Sequence, residues 1–309
     1  MRTVAIVGTG LIGTSVALAL RRAGLSTYLV DRDPAVVATA ARLGAGNTDR
    51  PTGPVDLAVL AVPPGSVARV LREQQQAGLA RHYTDVAGAQ AGPQARAARL
   101  GCDLGRHVGG HPIAGRELAG PAAARADLFQ GRTWVLTPTP QTAAATLDAA
   151  RELVARCGAH PVTMSAARHD RAVAASSHVP HLVASLLAAR LADADPELLR
   201  LCGAGIRDAT RIAAGDPQLW ADILTANARP VAAVLAELAA DLTGALHALS
   251  GATPDGPAPP ELLDVLLRGA RGRAALDPSP APPGPPGRWP RHATGSAGPV
   301  PPQPSEIPS

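Results

Sequence analysis

The stretch that decides the fold opens the chain: Val4-Ala5-Ile6-Val7-Gly8-Thr9-Gly10-Leu11-Ile12-Gly13. Four apolar residues read as a short buried strand, and the periodic segment Leu11 to Ala23 reads as a helix. Between them lies G-x-G-x-x-G. That spacing is a weak signal alone, but after a strand and opening a helix it predicts a dinucleotide-binding turn. Gly8 permits the tight turn, Gly10 lets backbone approach a pyrophosphate, and Gly13 lets helix and strand pack closely. Thr9, Leu11 and Ile12 complete the loop, and the helix N-terminus favours phosphate charge. The next strand, Thr27 to Val30, ends at Asp31. A carboxylate there accepts from both ribose hydroxyls and repels a 2′-phosphate, which favours NAD over NADP. Arg32, beside it, works against that preference. Val62, which closes a third strand, and Pro63, which follows it, fall where the adenosine would pass.

Outward from this turn the pattern repeats. Pro34 to Leu43 reads as a helix capped by Asp33, Val55 to Val62 as a strand, and Ser66 to Gln76 as a helix. His82 to Val86 and Thr133 to Thr137 read as further strands. The expected architecture is α/β, an N-terminal Rossmann domain with a doubly wound parallel sheet over residues 1–164. From about Ser165 strand signals vanish. His169 to Arg190, Glu197 to Ala214, Gln218 to Asn227 (with Pro217 at the start, after Asp216) and Pro230 to Leu249 carry helical periodicity. They predict an all-helical domain over 165–250. Its Ala-rich seams suit a dimer interface, and a monomeric core explains them nearly as well. A short helical extension follows over 251–275, with Glu261 to Arg271 its helix. Residues 276–309 form a Pro-rich tail expected to be disordered, with extended polyproline character.

Composition narrows the classes. Hydrophobic residues make up 46% and aromatics 2%, so the core is built from Ala, Leu and Val. There is no lysine; every basic residue is Arg. With abundant Ala, Gly and Pro, this reads as GC-rich codon usage rather than nucleic-acid binding, since no aromatics accompany the scattered arginines. Cys102, Cys157 and Cys202 are far apart and fit neither a metal site nor a disulfide framework, which suits a cytoplasmic protein. The apolar N-terminus breaks at Gly8 and Gly10, unlike a secretory leader. No uninterrupted eighteen-residue apolar run predicts a membrane span.

Chemistry concentrates in four strings. One is Gly109-Gly110-His111-Pro112-Ile113-Ala114-Gly115-Arg116-Glu117, read as a loop in which Pro112 stiffens the turn carrying a histidine. Two others are His169-Asp170-Arg171-Ala172-Val173 and Ser176-Ser177-His178-Val179-Pro180-His181. The last is Gly205-Ile206-Arg207-Asp208-Ala209-Thr210-Arg211-Ile212-Ala213. A lone loop histidine says little; behind a nicotinamide site it becomes a candidate base. His169, beside Asp170 at a helix start, is better explained by capping or hinge structure. His178 and His181 are explained almost as well by core hydrogen bonding, and Arg211 has a rival in a surface pair with Asp208.

Together with the N-terminal turn, these strings resemble the prephenate dehydrogenase family, in its actinobacterial form, from Met1 to about Leu249. The resemblance implies a Rossmann domain followed by a helical dimerisation domain, hence a homodimer. It also implies a small dicarboxylate substrate and NAD as cofactor, with no metal. Hydride leaves ring C4, the ring carboxylate departs as CO2, and an aromatic ring forms. By the same resemblance His111 is the catalytic base, and Arg211 binds a substrate carboxylate through its bidentate fork. His181 and Ser177, four apart on one helical face, line the pocket, and Glu117 lies near its entrance.

One departure matters. The family usually carries Asp-x-Gly/Ala-Ser-x-Lys where this chain has Asp85-Val86-Ala87-Gly88-Ala89-Gln90. Gly88 replaces a serine that supports the histidine, a loss on the order of 3 kcal/mol in the transition state. Gln90 replaces the lysine. Added space and a removed cation suit an amine at C4, so the reading leans to 4-amino-4-deoxyprephenate, which would yield 4-aminophenylpyruvate for antibiotic precursors. Prephenate itself, oxidised for tyrosine synthesis, is the near-equal alternative; arogenate is third. Lysine-dependent dehydrogenases of similar build are disfavoured by the absent lysine. A non-catalytic NAD-binding regulator is the alternative of another class.

Overall fold

The computed structural model describes residues 1–115 and 118–276. Glu117 and the Pro-rich tail beyond Leu276 lie outside the described residues. The strands are β1 (Thr3–Val7), β2 (Ser26–Val30), β3 (Val55–Leu60), β4 (Ala80–Asp85), β5 (His107–Pro112), β6 (Thr133–Thr137) and β7 (His160–Thr163). They form one seven-stranded sheet in the order β2-β1-β3-β4-β5-β6-β7. Helices α1 (Leu11–Arg22), α2 (Pro34–Arg42), α3 (Pro64–Gln76), α4 (Ala91–Arg99) and α5 (Ala144–Arg156) connect them.

Period-two alternation divides the core. Val4, Ile6, Leu57 and Val59 enter one apolar cluster, and Ala5, Val7, Ala58 and Leu60 enter another. Both faces are therefore covered, as a doubly wound sheet requires. Asp33 caps α2, accepting from Ala35 N.

The structure corrects the expectation in three places. The His111 stretch is not a loop but β5, parallel to β4 and antiparallel to β6, with His111 opposite Val135. The sheet is therefore mixed, since β6 and β7 run against the other strands. The third strand ends at Leu60, two residues early, as the chain turns toward Pro63-Pro64 at the start of α3.

Helices follow from Ser165, which caps α6 (Ala166–Val173) by accepting from Arg168 N. A π-turn, Ala174–His178, leads into α7 (Val179–Ala189). Pro180 lacks the N–H that would continue the α-ladder, which accounts for the widened turn just before it. Then come α8 (Pro196–Arg200), α9 (Ala204–Thr210), a 3₁₀ turn (Arg211–Ala214), α10 (Pro217–Ala226), α11 (Ala228–Ser250) and α12 (Pro260–Leu276). The chain divides into two compact units, one from Met1 to Ala240 and one from Asp241 onward. In the second, Arg268 pairs with Asp241 and Asp264.

Two stretches, Ala166–Ala189 and Ala228–Ser250, are long and apolar enough by composition to cross a membrane, although none was expected from uninterrupted apolar runs. The first carries the buried His169, Asp170, His178 and His181, as the core helix of a folded domain does. Along the second, Leu238, Leu242, Leu246 and Leu249 are exposed at one-turn spacing.

Candidate active site

Two groups of residues define the site, both within the unit that ends at Ala240. The first lies where β1, β2 and β3 end. Gly8 has a φ of +98°, and a side chain there would overlap the Ala61 carbonyl. A side chain at Gly13 would overlap the Gly8 carbonyl, whereas Gly10 faces open space. Helix α1 begins at Gly10 with no side-chain cap. Asp31 is held at the end of β2: its Oδ2 accepts from Thr9 N (2.7 Å) and Thr9 Oγ1 (3.1 Å), and its Oδ1 from Asp33 N (3.1 Å). Val62 packs beside Gly8, and Pro63 is exposed next to it. Close-packed backbone, an uncapped helix start and a fixed carboxylate fit a dinucleotide.

The second group centres on His111. β5 can carry it only because residues 109 and 110 are glycines. A Cβ on Gly109 would overlap Gln90 Oε1, and one on Gly110 would press against the Asp85 carbonyl. His111 Nδ1 lies 2.8 Å from His169 Nε2, and His169 Nδ1 lies 2.8 Å from Asp170 Oδ1. The two rings meet edge to face at 79°. His169, expected to be a cap or hinge residue, is instead a buried partner of His111. Asp170 also accepts from Gln90 N and Ala91 N, each at 2.9 Å, and so caps α4 from another helix.

Burial and the neighbouring His169 and His178 push the His111 ring down to about 3, against a smaller opposing pull from Asp170. The His111 ring is therefore neutral through the neutral pH range. Its Nε2 lies 3.7 Å from the place a Cβ would take on Gly88. Gln90, expected to matter as a missing charge, is buried and hydrogen-bonded. Its Nε2 donates to Asp85 Oδ1, Ala87 O and Gly110 O, and its Oε1 accepts from Thr137 Oγ1.

The helical side of the site differs in detail from the expected face. Ser177, half-buried, lies within the π-turn, and His181, buried, lies in α7, so the two are not carried by one regular α-helix. His181 stacks on Trp220, with centroids 3.5 Å apart and planes at 13°. Its Nδ1 is buried without a partner among the described residues, and burial lowers its pKa. His178 accepts at Nδ1 from Asn227 Nδ2 (3.0 Å), which also donates to the Asp170 carbonyl. Burial pushes His178 down to about 4. Arg211 is exposed, at the start of the 3₁₀ turn that ends against Gly215, itself in contact range of Trp220 and His181. Sequence reasoning missed Trp220 and Asn227; a lone Trp and Asn on helices gave no signal for a site. No group of potential metal ligands occurs among the described residues.

Comparison with known proteins finds the nucleotide-binding domain of prephenate dehydrogenase over residues 16–163 and its dimerization domain over 165–256. A probable prephenate dehydrogenase of Streptomyces niveus, NovF, is 46% identical over 88% of this chain and 76% of its own length. The cyclohexadienyl dehydrogenase of Zymomonas mobilis is 32% identical over 88% of this chain and 95% of its own. The crystal structure of prephenate dehydrogenase from A. aeolicus, in complex with hydroxyphenyl propionate and NAD+, is 28% identical. It covers 90% of this chain and 99% of that one with a TM-score of 0.78.

Proposed function

The chain belongs to the prephenate dehydrogenase family of NAD-dependent oxidoreductases, and we propose that it oxidatively decarboxylates 4-amino-4-deoxyprephenate in preference to prephenate. The observation that carries the preference is the missing side chain at Gly88, whose Cβ would stand 3.7 Å from His111 Nε2. No side chain stands there to hydrogen-bond a hydroxyl, and no lysine or arginine is among the hydrogen-bond partners of Gln90 to repel a cationic amine.

In this reading His111 Nε2 takes the proton from the C4 substituent as the C4 hydride departs. The ring carboxylate leaves as CO2 and its electron pair completes the aromatic ring. Bound NAD supplies the hydride acceptor. Gly8, Thr9, Gly10, Leu11, Ile12 and Gly13 would hold its pyrophosphate, Asp31 its ribose hydroxyls, and Val62 and Pro63 its adenosine edge, with Arg32 beside them. Arg211 binds a substrate carboxylate, and its guanidinium fork orients as well as attracts. In this reading the Trp220 ring, backed by the stacked and buried His181, faces the substrate ring. Ser177 supplies a further hydroxyl, and Glu117 is assigned to the pocket entrance. The product, 4-aminophenylpyruvate, would feed antibiotic precursor supply; prephenate oxidation would feed tyrosine synthesis.

The matched dimerization domain and the apolar stripe along α11 support a homodimer. Such a stripe, left exposed on one chain, is suited to burial against a second copy. A cytoplasmic location belongs to the same reading, and the three free cysteines support it.

The test is kcat/KM for the two substrates side by side, followed as NADH absorbance. A higher value for the amino compound is expected. A clearly higher value for prephenate assigns the protein to tyrosine synthesis instead. No turnover of either, with NAD still bound, would leave a binding protein.

A further inference from the structure

We infer that Asp170 and His169 are positioning residues that fix the ring tautomer of His111, leaving its Nε2 lone pair free to act as the base. The inference rests on the reading of His111 as the proton acceptor. It comes from following hydrogen-bond polarity along one buried chain.

The chain starts at Asp170, which is 2% exposed. Its Oδ1 faces Gln90 N and His169 Nδ1, and its Oδ2 faces Ala91 N. Two of these are backbone N–H groups at the start of α4, donors with no other role to play. Helix α4 has no side-chain cap of its own, so Asp170 satisfies its first turn. A carboxylate in that position only accepts. His169 Nδ1 must therefore donate to it. A neutral imidazole that donates at one nitrogen accepts at the other, so His169 Nε2 presents a lone pair. Across 2.8 Å stands His111 Nδ1, which must then carry the hydrogen. The proton of His111 is thus placed at Nδ1, and Nε2, turned toward Gly88, is the basic nitrogen. With a neutral His169 ring, the opposite polarity would need Asp170 to donate a proton while two backbone N–H groups point at it.

The neighbouring groups are consistent with neutral rings. His178 accepts at Nδ1 from Asn227 and so presents no acceptor to His111 from that atom. The other buried carboxylate, Asp85, is taken up by Ala87 N, Gln90 Nε2 and His107 Nε2.

The experiment compares His169→Leu, His169→Gln and Asp170→Asn with His111→Asn. It uses whichever of prephenate and its amino analogue turns over faster. A glutamine places an amide oxygen near the position of His169 Nε2 and so keeps an acceptor for His111 Nδ1–H; leucine does not. The expected loss in kcat is about 100-fold for His169→Leu, with KM and NAD affinity within about threefold of wild type. His169→Gln recovers to within about tenfold of wild type, because its amide oxygen keeps an acceptor for His111 Nδ1–H. Asp170→Asn lowers kcat with NAD affinity retained, and provides the answer if the leucine variant does not fold. Wild-type kcat in folded His169→Leu or in Asp170→Asn overturns the inference. So does a glutamine variant no better than leucine at equal Tm. If His111→Asn itself keeps turnover, the reading of His111 fails, a different outcome from full activity in the His169 and Asp170 variants alone.

Discussion

Two buried histidine–aspartate pairs lie close together in this protein. His107 Nε2 is 3.0 Å from Asp85 Oδ2, and His169 Nδ1 is 2.8 Å from Asp170 Oδ1. All four side chains are nearly sealed from solvent. Gln90 touches both pairs, donating to Asp85 from its side chain and to Asp170 from its backbone. They differ at the second ring nitrogen. His107 Nδ1 meets no partner among the described residues, whereas His169 Nε2 meets His111. One pair ends in the buried interior; the other continues to His111. The same two residue types thus serve stability in one place and proton placement in the other, decided by what the far nitrogen reaches.

The comparison can be broken first at His111. His111→Asn is expected to lower kcat about 1000-fold or more while NAD affinity, by titration calorimetry, stays unchanged. The core pair should respond in the opposite way. His107→Leu leaves Asp85 buried with one donor fewer and is expected to cost about 2–3 kcal/mol in urea unfolding, with kcat within about threefold. A large loss of kcat without loss of stability would erase the distinction between the pairs. Arg211→Ala is expected to raise KM about 30-fold with kcat nearly intact, as loss of a charged carboxylate contact should.

Gly88→Ser probes the open side of His111. Its Cβ would stand in ordinary van der Waals contact with the His111 ring, so folding should be unaffected. The ratio of kcat/KM values is expected to shift about tenfold toward prephenate. An unchanged ratio would detach Gly88 from substrate choice.

The smallest effect is on pH-dependent stability. His111 is lowered to about 3 and His178 to about 4 in the folded state, against an ordinary histidine value of 6.5. Below about pH 6.5 the unfolded chain binds protons that the folded protein does not, so these groups favour unfolding as the pH falls. Tm should be lower at pH 5 than at pH 7. A Tm that rises on acidification would contradict neutral rings at both positions.

Much of this was legible in the sequence because local chemistry repeats there. Val4 to Val7 with the glycine spacing marked the first strand and turn, and Asp33 and Asp216 are both placed at helix starts. β5 was not legible, since His-Val-Gly-Gly-His-Pro has the composition of a loop. Its glycines are there because Gln90 and Asp85 occupy the space their side chains would need. β7 is exposed along its whole length and so has no apolar pattern. His169 looked like a local cap because its neighbour is Asp170; its second partner lies 58 residues away in the chain. The spacing of Ser177 and His181 suggested one α-helical face, and the π-turn changed that geometry. Local rules found the elements, and the pairings that make the site are tertiary.

The most direct test of a neutral base at His111 is the nitrogen spectrum of its ring in ¹⁵N-histidine-labelled protein at pH 7, assigned by its absence in His111→Asn. The expected signature is a neutral imidazole with hydrogen on Nδ1 and a lone pair on Nε2. An imidazolium, or a neutral ring with hydrogen on Nε2, would contradict the account.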